Sequence, residues 1–130
     1  MLRRPPFLST IVLVLVLACV ACSGQQAVLR DSLATLNAAR DGFIVWDDVH
    51  QGMIVRSATS LEDGKRELAA YRAKREVVVR AFELGYKVIA TAALDTTADN
   101  IALVLGALAD LKQSVEALGA TWGAPKAGST

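Results

Sequence analysis

The residues best equipped for chemistry lie in Trp46-Asp47-Asp48-Val49-His50-Gln51. His50 is the chain's one histidine. Asp47 stands three places before it, so on a helix the two side chains are neighbours. Di-metal helical bundles use an acidic residue three before a histidine, but they need that motif twice and further carboxylates. A single histidine excludes that site. A mononuclear site from Asp47, His50 and Glu67 is the remaining metal arrangement, and three such ligands without a cysteine arise easily by chance. Asp47 and Asp48 point about 100° apart on a helix and cannot work as a facing acid and base. The chain shows no nucleophile–base pairing and no phosphate loop, so the expectation is a non-enzymatic protein without cofactor or metal. Ion pairing is the better use of the aspartates. Arg75 interrupts an apolar stripe and needs a carboxylate, with Asp41, Asp47 or Asp48 within reach. Trp46, Asp47, Asp48, His50, Arg72 and Arg75 are thus the candidate interaction or register residues, with His50 read as half-buried.

Three helical segments must position these groups. Leu29, Leu33, Leu36, Ala39, Phe43, Trp46, Val49 and Met53 recur at steps of three and four, one face of a helix of period 3.6. This first helix is expected to begin soon after Gly24 and to end at Arg56 or Ser57. Gly42 and Gly52 each cost roughly 1 kcal/mol against alanine and are the places for a kink. Phe43-Ile44-Val45-Trp46 alone could be a strand, but the helical stripe continues on both sides of it.

Thr59 with Glu62 reads as a capping box that starts the second helix. Its stripe is Leu61, Leu68, Tyr71, Arg75, Val78, Phe82, Tyr86, Ile89 and Ala93, ending near Leu94. Asp95-Thr96-Thr97-Ala98 is a turn and a fresh cap. The third helix presents Ile101, Val104, Leu105, Leu108, Leu111, Val115 and Leu118. Gly119 then closes it, and Ala120 to Thr130 reads as a frayed tail in which Trp122 is either loose or a staple. The fold class is all-α: a long antiparallel hairpin plus a shorter third helix, a three-helix bundle. Folding about Ser57–Ser60 sets Leu36 against Phe82, Leu33 against Gly85, Trp46 near Tyr71 and Arg72, and His50 near Leu68. A third helix of about 33 Å, against roughly 50 Å for the others, covers the root of the hairpin and leaves its tip as two helices.

Ahead of the bundle, Arg3 and Arg4 form a basic start and Phe7 to Ala21 an apolar run with only Ser9 and Thr10 polar. The run is short of the ~20 residues a membrane span needs, which is the layout of a signal peptide. Val16-Leu17-Ala18-Cys19 and Val20-Ala21-Cys22-Ser23-Gly24 resemble the lipobox of bacterial lipoproteins. That resemblance covers the first two dozen residues and implies a cysteine that is lipidated and becomes the mature N-terminus. Cys22 fits with Val20 and Ala21 before it and with Ser23-Gly24 opening a flexible tether, and its use leaves no unpaired thiol. Cys19 is the alternative, with Val16 three places upstream.

The expected organisation is residues 1–21 as signal peptide, 22–118 as bundle and 119–130 as tail. The implied site is the bacterial cell envelope, and in a Gram-negative cell the outer membrane facing the periplasm, because neither Val20 nor Ser23 is the aspartate of the sorting pattern. Setting Arg3 and Arg4 aside leaves 12 basic against 13 acidic residues, a net of −1. That balance argues against nucleic acid as partner. The expected partners are the membrane, through the lipid, and an envelope protein or a second copy. Alternative readings are an accessory lipoprotein of a phage or mobile element, acting in lysis or exclusion, and a plain secreted helical protein.

Overall fold

A computed structural model describes the backbone of residues 6–123 and the side chains of residues 24–123. It consists of three helices, α1 (Pro6–Ser57), α2 (Leu61–Leu94) and α3 (Ala98–Leu118), each packed against the other two. The cysteine side chains and residues 124–130 lie outside this description, and with them the lipidation expected at Cys22 or Cys19 and the end of the tail. Among the residues whose side chains are described, no helix is long and apolar enough to cross a membrane.

α1 begins at Pro6, not after Gly24, and it runs unbroken through Gly24, Gly42 and Gly52. One glycine costs a helix only about 1 kcal/mol, which helix formers on either side and packing at Leu36, Ala39 and Phe43 offset. The flexible tether expected at Ser23-Gly24 is therefore helical backbone.

The buried face of α1 is Leu29, Ser32, Leu36, Ala39, Phe43 and Asp47. This corrects the expected stripe: Leu33, Val49 and Met53 are exposed, while Ser32 and Asp47 are buried. Asp47 is buried because partners satisfy it, and a hydrophobicity pattern cannot find such a residue. On α2, Tyr71, Val78, Phe82 and Ile89 are buried as expected, but Leu61 and Ala93 are exposed and Gly85 and Ala92 take the inner places. On α3, Val104, Leu111 and Val115 are buried and Leu105 is exposed.

The register of the hairpin differs by about three residues from simple folding about the turn. Leu36 faces Gly85 rather than Phe82, since a Cβ on Gly85 would lie 3.3 Å from its Cδ2. Phe82 instead meets Phe43, with ring centroids 5.7 Å apart. Helical side chains lean toward their own N-terminus. In an antiparallel pair both contacting residues therefore lie beyond the level at which they touch, which shifts the pairing by roughly two to three positions.

The N-cap of α2 is Ser60, not Thr59. Its hydroxyl accepts from the Asp63 amide at 3.1 Å, while the Thr59 hydroxyl donates to the Asp63 carboxylate at 3.2 Å. Ser60→Ala should lower stability by about 1 kcal/mol, and Thr59→Ala by only a few tenths, measured by urea unfolding. A larger loss from Thr59→Ala would return the cap to Thr59. Thr97 caps α3 by accepting from the Asn100 amide at 3.2 Å.

Gly119 ends α3 with φ 101°, a left-handed conformation that glycine tolerates best. The Ala120 amide then donates back to the Val115 carbonyl at 3.2 Å. Ala120 is buried and Trp122 packs against the core, so the first residues expected in a frayed tail are docked.

Candidate functional site

Asp47 is the centre of a polar and aromatic cluster between α1 and α2. It is 5% exposed and accepts three hydrogen bonds. Tyr71 donates its hydroxyl to Oδ1 at 2.6 Å, Arg75 its Nε–H to Oδ2 at 2.7 Å, and Gln51 its amide to Oδ2 at 3.0 Å. Of the three aspartates within reach of Arg75 by sequence, Asp47 is the one that takes it. Asp48 is exposed, and Asp41 meets Arg40 at the surface. Arg72 donates to the Gln51 side-chain oxygen at 3.4 Å, which places it at the outer edge of the same group.

Aromatic rings close the cluster. His50 stacks on Trp46 at 4.6 Å and 12°, and lies 4.8 Å from the Tyr71 ring. His50 thus meets Tyr71 on α2. Trp46 continues toward Phe43 at 6.1 Å, and toward Tyr71 at 6.3 Å as expected. Here two turns of α1 bring Phe43, Trp46 and His50 against α2, and offset or tilted ring contacts add roughly 0.5–1.5 kcal/mol to simple burial.

Sequence reasoning placed Tyr71 on the buried stripe but not as a partner of Asp47. The signal was available: a buried tyrosine needs a partner for its hydroxyl. A second pairing of the same kind was missed below it. Tyr86 donates to Asn37 Oδ1 at 2.6 Å, and the Arg40 guanidinium lies 5.7 Å from the Tyr86 ring centre.

The arrangement turns its donors and acceptors on one another. A carboxylate that already receives three donors is poorly placed to take a proton from a substrate. Among the described residues, no three His, Cys, Asp or Glu side chains come together in a metal-binding group. Asp47 is held by Tyr71, Arg75 and Gln51, and the face of the His50 ring is held by Trp46 and Tyr71.

Burial, above all, pushes the Tyr71 phenol well above its ordinary value of 10, with the hydrogen bond to Asp47 and its negative charge adding to the shift. The Arg75 charge pulls more weakly the other way. The folded chain then holds this proton to a higher pH than the unfolded chain does. Its contribution is complete below about pH 10 and is lost as pH rises from there toward the folded value. Stability should fall above pH 10, and Tyr71→Phe should flatten that fall. The check is the difference in urea midpoint between the two proteins from pH 8 to 11.5, where equal slopes would refute the assignment.

Among the described residues, the bundle thins to two helices beyond this cluster. The C-terminal end of α3 lies beside Trp46, for a Cβ on Gly119 would be 3.8 Å from the indole Cζ2. Toward the tip, Val45, Val49 and Met53 stand at steps of four on α1 and are exposed, with Met53 53% exposed. Ile44, Val55 and Leu61 are exposed in the same half of the hairpin. Comparison with known proteins returns no match to a family model, to a curated protein or to a solved structure.

Proposed function

We propose that this chain is a lipid-anchored, non-enzymatic helical protein of the bacterial cell envelope that works by protein–protein contact through the tip of its hairpin. In a Gram-negative cell it sits on the outer membrane and faces the periplasm. The observation that carries this reading is the exposed row Val45, Val49 and Met53, at the end of the bundle farthest from the lipobox. Apolar side chains scattered singly over a surface are ordinary, but three at steps of four along one helix form a row suited to a partner. The lipobox-like segment supports the anchoring half of the reading.

A photo-crosslinking residue placed at Val49 or Met53 in the living cell tests the contact. One discrete adduct is expected from those positions, either with an envelope protein or with a second copy, and none from exposed Glu83 on α2. Equal labelling from all three sites, or no adduct from the tip, overturns it. Intact mass of the mature chain tests the anchor independently: a diacyl or triacyl adduct on an N-terminal cysteine is expected, and a lipid-free chain beginning after residue 22 removes it.

A further inference from the structure

We infer that the turn between α2 and α3 is a membrane-contact surface, with Leu94 inserted into the interfacial region of the bilayer that holds the N-terminus. The inference rests on the anchoring reading above and deepens it, by assigning which end of the bundle meets lipid and through which residue.

Leu94 is the last residue of α2 and is 92% exposed, more than any other large apolar side chain described. No packing within the bundle accounts for it. Its location does. The Gln26 side-chain amide donates to the Thr96 hydroxyl at 3.4 Å, which locates the turn beside residue 26 of α1. Residue 26 is four places after Cys22 and five after the end of the apolar run at Ala21. At 1.5 Å per residue that is only about 6–8 Å along the helix axis, comparable to the depth of a headgroup layer. The helix is continuous across this interval, so there is no linker to hold the turn away from the surface. A lipid on Cys22 therefore sets the turn against the bilayer. The tip then stands about 50 Å away, the rise of the remaining residues of α1.

Charge narrows the kind of surface. The turn and the start of α3 carry Asp95 and Asp99 and no lysine or arginine. Anionic lipid would repel that pair. A bilayer whose outer groups are zwitterionic, with ammonium groups to meet the aspartates and an apolar layer to receive Leu94, is the matching partner. The contact is thus apolar in origin, not a basic patch held to phosphate.

The test uses the full lipidated chain on vesicles of phosphatidylcholine and phosphatidylethanolamine that contain chain-labelled quencher lipid. An environment-sensitive fluorophore is carried on a genetically encoded azide at exposed Ala93, and in a second sample at exposed Thr59 near the tip. Flotation with the vesicles reports anchoring, and quenching reports the seat. The expected result is that both samples float, that quenching at position 93 exceeds that at 59 by at least threefold, and that Leu94→Gln lowers quenching at 93 at least twofold without changing flotation. Equal quenching at the two positions in floating protein overturns the seat and leaves the anchor standing. Quenching at 93 that is indifferent to Leu94→Gln, or that appears only when anionic lipid is added, also overturns it. Failure to float removes the anchoring reading and the inference together.

Discussion

Asp47→Ala is expected to lower the free energy of unfolding by about 3–5 kcal/mol, the scale on which breaking a buried charge pair leaves its partners stranded. The carboxylate is almost fully covered and is the shared acceptor of Tyr71, Arg75 and Gln51. Its loss strands a buried phenol hydroxyl and leaves a guanidinium on the hairpin interface without its counter-ion. Arg75→Ala should cost less, about 1–3 kcal/mol, because the Arg75 side chain is 34% exposed and water relieves part of the loss. Arg75→Leu should be milder still, since the leucine keeps the stem's packing. A double-mutant cycle between Arg75→Ala and Asp47→Ala should show coupling well above 0.5 kcal/mol, whereas the cycle with Asp48→Ala should show none. Urea unfolding with a constant m-value checks all of these. If Asp47→Ala costs under about 1 kcal/mol, the cluster is a surface feature and not a determinant of the hairpin.

Leu36→Ala should be comparably costly, at about 3–4 kcal/mol, for a different reason. Leu36 is wholly buried and its two methyl groups fill the space that Gly85 leaves open on α2. Truncating it leaves glycine facing alanine, and two long helices packed along their length cannot collapse locally to close the gap. Gly85→Leu alone should also destabilise, by roughly 1–3 kcal/mol, because its side chain has nowhere to go while Leu36 is present. The double variant Leu36→Ala/Gly85→Leu should recover at least half of the summed loss, since it returns the volume from the other side. Thermal unfolding of the four proteins is the measurement. Additive losses would mean that the two residues do not share one space.

The number of helices and most of their ends were legible in the sequence because those features are local. Apolar steps of three and four, the cap cluster Asp95–Ala98 and the closing Gly119 depend on residues within a turn or two of one another. The need of Arg75 for a carboxylate was equally local, since an arginine on an apolar stripe must be paired. What only the tertiary structure decided is rotation, register and partner choice. The inner face of α1 passes through Ser32 and Asp47 rather than Leu33, Val49 and Met53, a turn of the helix about its own axis that periodicity tolerates. Which aspartate meets Arg75, and that Tyr71 meets it too, follows from the three-residue shift between α1 and α2. That shift comes from the lean of side chains along both helices and from the space Gly85 yields to Leu36. Neither is visible until the two helices are set side by side, because a buried polar group is chosen by what satisfies it across the interface, not by its neighbours along the chain.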